Sequence, residues 1–140
     1  YQIVNVEKNS SIHLESFPDI PGSWENQILF EKWDKFKTVK KVANAAIEIK
    51  RSNKDIGSSL EADIKIYLND EYLKLVKDFD LSEYFITSKA EALKMKSDKD
   101  LFELDQIKDI KVLVKKAEGV KCPRCWKILS KQCDRCESVK

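Results

Sequence analysis

Four cysteines fall within residues 122–136 and nowhere else in the chain. They form two C-x-x-C knuckles, Cys122-Pro123-Arg124-Cys125 and Cys133-Asp134-Arg135-Cys136, separated by seven residues. Each knuckle offers two thiolates from one tight turn. Four sulfurs at about 2.3 Å from a common centre complete the tetrahedral shell of zinc and leave no position for water. The spacing therefore predicts one structural Zn2+ held by Cys122, Cys125, Cys133 and Cys136, with the tail folded around it as a four-cysteine zinc knuckle or ribbon. Two disulfides or a redox switch are the competing uses of the same sulfurs. No stretch has the pattern of a signal peptide and no apolar run is long enough to cross a bilayer. The surrounding lysines and arginines favour thiolate over thiol, so metal is the preferred reading.

The charge is unevenly placed. The net charge of the chain is +2, but residues 111–140 carry nine Lys/Arg (Lys111, Lys115, Lys116, Lys121, Arg124, Lys127, Lys131, Arg135, Lys140) against Glu118, Asp134 and Glu137. The tail is thus +6 and the first 110 residues −4. A polyanion would be drawn to the metal end, less strongly as salt rises. Arg124 and Arg135 lie inside the knuckles and Trp126 follows the first. A metal would fix these cations and an indole on one small surface suited to RNA.

With 42% hydrophobic residues, 140 residues can bury one core and carry an appended mini-domain. The opening stretch to Gly22 holds two of the three prolines and reads as extended chain and turns. It begins without Met on a strand-like alternation (Ile3, Val4, Val6), as a piece cut from a larger protein would. From about Glu25 to Asn53, Leu29, Trp33, Phe36, Val39, Ala43, Ala46 and Ile47 recur mostly at steps of three and four, predicting a long amphipathic helix stopped near Gly57. Trp24 and Trp33 are expected in the core. Ile64, Ile66 and Leu68 then alternate with polar residues as a strand, and Asn69-Asp70 caps a short helix over about Glu71–Phe79. Tyr84-Phe85-Ile86-Thr87 reads as a second strand and Ile110–Val114 as a third, with Lys94–Asp105 unassigned. The fold class expected is α+β.

Groups for catalysis are sparse. The one histidine, His13, lies between Ile12 and Leu14 in an apolar turn, where a structural role is expected. Three glycines without phosphate-loop spacing exclude that motif. Lys94-Met95-Lys96-Ser97 has the wrong order for the lysine-bearing ATP loop of class I synthetases, and no active site is expected.

Taken together, Ser11-Ile12-His13-Leu14 with Phe17-Pro18, then Trp24, Trp33, Ile56-Gly57-Ser58-Ser59-Leu60-Glu61-Ala62 and Lys116-Ala117-Glu118-Gly119-Val120-Lys121-Cys122-Pro123-Arg124-Cys125-Trp126 resemble the carboxy-terminal region of bacterial isoleucyl-tRNA synthetases, class I aminoacyl-tRNA synthetases. The resemblance covers essentially the whole chain. It implies that residues 1–56 end a helical anticodon-binding domain, 57–117 form a small α/β unit and 118–140 a zinc module. It also implies contact with the anticodon stem-loop of tRNA(Ile), with Arg124 and Trp126 at that surface. Lys121, Lys127, Lys131 and Arg135 would hold the backbone nearby. The seven residues between Cys125 and Cys133 are fewer than in many relatives, so contacts made by a longer insert are not expected. ATP and Mg2+ belong to a catalytic core that these residues lack, so the piece alone should not aminoacylate. Further expectations are a monomeric, cytoplasmic parent enzyme, no membrane partner, and packing against the remainder of the synthetase chain. Two other uses compete: a zinc module that merely braces the synthetase, with Trp126 packed inward, and a duplex-DNA-binding finger of the formamidopyrimidine-DNA glycosylase type.

Overall fold

The computed structural model describes residues 16–95, 101–131 and 133–138. The expectations for His13, for the alternation at Ile3–Val6 and for Lys96-Ser97 lie outside these residues. The chain is α+β: helices pack on a four-stranded mixed sheet, and a separate two-stranded ribbon carries the cysteines.

The dominant element is helix α1, Gln27–Ser52. It starts where the Asn26 side chain accepts the Leu29 N–H at 2.9 Å, satisfying one of the orphan donors of the first turn. Lys50 and Arg51 occupy the last turn, where positive charge opposes the negative end of the helix dipole. The helix stops earlier than the expected breaker at Gly57. The chain turns at Lys54, in the left-handed region at φ 62°, and Lys50 pairs with Asp55 at 3.0 Å across the turn. A polar turn with a capping ion pair ends the helix without glycine.

Only part of the predicted apolar stripe is covered. Phe36, Val39, Val42, Ala43, Ala46 and Ile47 are buried, whereas Leu29 is about half exposed. The expectation of a buried Trp24 is corrected: it ends a short 3-10 turn, Gly22–Trp24, and is 74% exposed. Trp33 lies at the margin, with one edge against Phe36 and Phe79 at ring-centroid distances of 5.4 and 5.8 Å. Helical periodicity identifies one face, but the described residues cover that face only from Phe36 onward.

Strand β1, Ala62–Leu68, alternates as expected, with Ala62, Ile64, Ile66 and Leu68 fully buried on one face. Helix α2, Asp70–Val76, follows, capped by the Asn69 side chain on the Tyr72 N–H at 2.9 Å. The predicted strand at Tyr84–Thr87 is a correction. Residues Leu81–Tyr84 form a one-turn helix, α3, because the Asp80 carboxylate accepts the Ser82 and Glu83 N–H groups. Four aromatic and β-branched residues give a strand signal too short to outweigh a cap. Ile86 then takes φ 57° and turns the chain into the true second strand, β2, Lys89–Lys94.

The stretch left unassigned contains β3, Phe102–Leu104, joined through Asp105-Gln106 to β4, Ile107–Lys116, which runs past the expected Ile110–Val114 at both ends. Sheet order is β2-β1-β4-β3, with β1 parallel to β2 and antiparallel to β4. Register sets Ile64 against Val114, Ile66 against Val112 and Leu68 against Ile110. These buried pairs form one face, and α1 closes over it to make a single core. An aromatic cluster seals the end nearest α3, with Phe36 4.9 Å from Phe79 and 4.2 Å edge-on from Tyr84.

Candidate functional site

After β4, Gly119 turns the chain at φ 136° into the ribbon, where β5, Val120–Lys121, pairs with β6, Ile128–Leu129. A Cβ on Gly119 would lie 2.2 Å from the Leu129 carbonyl oxygen, so only glycine allows the two arms to close. Between the arms lies the first knuckle. The Cys122 N–H donates to the Lys127 carbonyl at 2.9 Å, and the Trp126 N–H returns to the Cys122 carbonyl at 3.0 Å. Trp126 takes φ 65°, rare for a bulky residue, and the residue is 61% exposed. The second knuckle begins with Cys133 as N-cap of a one-turn helix, α4, Asp134–Glu137, whose first turn bonds the Cys136 N–H to the Cys133 carbonyl at 2.9 Å.

These turns bring together all four sequence-predicted ligands. The Sγ atoms of Cys122, Cys125, Cys133 and Cys136 lie within 4.8 Å of one another, and Cys125 Sγ is 3.7 Å from Cys133 Sγ. A disulfide needs about 2.05 Å. A tetrahedron of sulfurs about 2.3 Å from zinc has edges of about 3.8 Å. The cysteines are free thiols, and their donor set suits a metal ion bound entirely by sulfur.

The electrostatics agree with that use. The backbone N–H groups of Cys125 and Arg124 draw the Cys122 thiol down to about 7. Burial, and then hydrogen bonds to the other three sulfurs, push Cys136 up to about 12. Four thiols this close cannot all ionise without a cation between them, and a divalent metal removes that obstacle.

Each cation predicted to meet RNA has a partner within the molecule. Arg124 Nη1 donates to the Cys136 carbonyl at 3.4 Å and so ties the two knuckles together. Lys131 pairs with Asp134 at 3.1 Å and Lys121 approaches Glu61 at 3.9 Å. Lys127 Nζ donates to Ser82 Oγ at 3.1 Å, and Arg135 Nη1 meets Glu83 Oε1 at 2.7 Å, both on α3. Arg124, Trp126, Lys121, Lys131 and Arg135 remain exposed, while Lys127 is half-buried.

Sequence reasoning did not single out the residues that receive the ribbon. Ser88, 6% exposed, donates its hydroxyl to the Leu60 carbonyl and accepts the Ile128 N–H of β6 at 2.6 Å. Glu61 accepts the Gly57 N–H with its carboxylate at 3.0 Å and the Ala117 N–H with its carbonyl at 2.8 Å. The two most specific motifs, around Gly57–Ala62 and Lys116–Trp126, therefore meet in space at Glu61. No local signal marks Ser82, Glu83 or Ser88, whose partners on the ribbon lie 40 or more residues along the chain.

An α+β body bearing on a ribbon four cysteines placed to hold one metal ion, beside an exposed tryptophan, defines the class. Comparison with known proteins makes the relationship specific. The chain is 41% identical over 135 residues to the isoleucine–tRNA ligase of Pelagibacter ubique, a match covering 96% of the chain and 14% of that protein. It is 41% identical over 121 residues to that of Mesorhizobium japonicum and 40% over 119 to that of Agrobacterium fabrum, each match covering 84% of the chain and 12% of the relative. No family model matches the chain. Over 84–96% of its length the chain matches the carboxy-terminal segment of bacterial isoleucine–tRNA ligases. It spans 12–14% of the length of these relatives. No helix among the described residues is long and apolar enough to cross a membrane.

Proposed function

We propose that this segment is the tRNA-reading end of an isoleucine–tRNA ligase and that its metal module, with zinc as the ion, touches the anticodon loop of tRNA(Ile). The observation that carries the reading is Trp126, a residue 61% exposed and held on a left-handed turn beside the cysteine cluster. Unstacked loop bases are the part of an RNA that a protein reads most readily, and an exposed aromatic face is the means. Arg124, two residues before it in the chain, has donors left over from its bond to Cys136, available for a base edge or a phosphate. Cys122, Cys125, Cys133 and Cys136 would hold the Zn2+, whose chemistry there is structural. Lys121 and Lys131 complete the cationic rim. In this reading residues 1–56 end a helical anticodon-binding domain, 57–117 are the small α/β unit and 118–140 the zinc module. The parent ligase, a cytoplasmic monomer, brings ATP and Mg2+ chemistry from residues other than these, and this segment positions the tRNA for that distant site.

The test is kinetic. Trp126→Ala in the full-length ligase should weaken tRNA use about 5- to 150-fold, since stacking is worth about 1–3 kcal/mol per base. ATP-dependent activation of isoleucine should stay within twofold. Equal loss of both activities would overturn the reading.

A second reading, in which the module only braces the synthetase, is favoured by the contacts of Lys127 and Arg135 with α3 and of Ile128 with Ser88. It gives no use to the exposed indole. Quenching of Trp126 fluorescence by tRNA, with Trp24 and Trp33 replaced by Phe, favours RNA contact; no quenching favours bracing. Preferential binding of duplex DNA over tRNA at matched salt would instead point to a DNA finger.

A further inference from the structure

Besides the long Lys121–Glu61 contact, three donors fasten the ribbon to the body, and all three end on residues 82–88. The Ile128 N–H reaches Ser88 Oγ at 2.6 Å, Lys127 Nζ reaches Ser82 Oγ at 3.1 Å, and Arg135 Nη1 reaches Glu83 Oε1 at 2.7 Å. The donors come from β6, from the residue before it and from α4, so the three attachments do not share one element. Contacts spread in this way restrain rotation as well as separation. The acceptors are themselves held in place. Ser82 gives its hydroxyl proton to Asp80 Oδ1 at 2.8 Å, which leaves its lone pairs for Lys127. The hydroxyl of Ser88 is buried and spends its proton on the Leu60 carbonyl, so it faces Ile128 as an acceptor. Tyr84, at the end of α3, packs edge-on against Phe36 of the core at 4.2 Å, so the receiving segment is anchored to α1.

We infer that Ser82, Glu83 and Ser88 are positioning residues that fix the direction in which the Trp126 indole faces, and that Lys127 and Arg135 serve this latch rather than an RNA phosphate. Trp126 directly precedes Lys127 and lies two residues before Ile128, so a loosened latch swings the indole while leaving the four sulfurs together. The inference rests on the proposed tRNA-reading role for its functional consequence but not for its structural one.

Two measurements on the full-length chain keep these apart. The first reads the latch without RNA. Ser88→Ala should speed amide hydrogen exchange at Ile128 about tenfold, the loss expected for a buried hydrogen bond, with one metal ion per chain retained. Ser88→Thr, which keeps the hydroxyl, should restore protection. Unchanged exchange at Ile128 in Ser88→Ala would overturn the latch, whatever tRNA does. The second is a charge swap. Arg135→Glu should raise the KM for tRNA about two- to fivefold, the range for an exposed ion pair, with kcat unchanged. Adding Glu83→Arg should return KM to the original value, because the pair is re-formed with its signs exchanged. A swap no better than Arg135→Glu alone would overturn the assignment and make Arg135 a phosphate contact. If Ile128 exchange responds but neither the latch variants nor Trp126→Ala changes tRNA use, the latch stands and the RNA reading falls.

Discussion

Gly119 and the cysteines show what single residues decide. At φ 136°, with the Leu129 carbonyl 2.2 Å from where a Cβ would stand, Gly119 admits no side chain without opening the ribbon. Gly119→Ala should therefore lower the unfolding free energy by about 1–3 kcal/mol, combining the cost of the left-handed backbone with displacement of β6. The result should appear as a lower urea midpoint and easier chelation of the metal; an unchanged midpoint would contradict the geometry. The four cysteines were legible from spacing, since two residues between thiols is the reach of one turn. Ser88, Ser82 and Glu83 were not. A serine or glutamate acquires a role from what folding sets opposite it, and their partners on the ribbon are 40 to 52 residues away. Trp24 shows the reverse error: a large apolar residue suggests burial, but burial depends on a neighbour to cover it, and in the described residues Trp24 has little cover.

The ribbon makes the clearest prediction at the scale of elements. Cys122 has its thiol pKa drawn down from 9.0 to about 7, so its thiolate persists as pH falls until that value is passed. Cys136 is pushed from 9.0 up to about 12 and keeps its proton across the neutral range until a metal displaces it. Metal binding must therefore release protons, and affinity must rise with pH. Each proton displaced makes affinity about tenfold higher per pH unit. Competition with a chelator should give tight retention of zinc at pH 8 and release between pH 7 and 5; retention independent of pH would argue against thiolate ligation. Among the other elements, α1, β1, α2 and β4 were readable because their periods persist for whole turns or repeats. The segment Tyr84–Thr87 was not: a four-residue aromatic and β-branched run suggests a strand, but the Asp80 carboxylate caps a helix there, and a cap acts through geometry that composition does not express.

At the scale of the molecule, one core joins α1 to the sheet, and the aromatic cluster connects that core to the segment receiving the metal ribbon. Phe36 is fully buried and touches Trp33, Phe79 and Tyr84. Phe36→Ala should cost about 3–5 kcal/mol, as large aromatic deletions in cores do. Because Tyr84 then loses its edge-on partner, the same variant should also raise amide exchange at Ile128, more than a core substitution remote from α3, such as Val112→Ala. Equal exchange at Ile128 in the two would show that the ribbon is held independently of the aromatic cluster.

The sequence by itself determined the local and the periodic: two knuckles of two thiols, a basic tail, a long amphipathic helix, an alternating strand and the helix-capping residue Asn69. Each depends on residues within a turn or two of one another, where bond geometry fixes the spacing. Only the tertiary structure decided that Lys127 and Arg135 face α3, that Ser88 joins Leu60 to Ile128, that Glu61 meets the chain again at Ala117 and Lys121, and that Trp126 faces outward. These contacts depend on which surfaces meet when distant segments pack on one core. Hydrogen bonds and ion pairs then form between whichever groups are brought opposite, and no local pattern of residues encodes that choice.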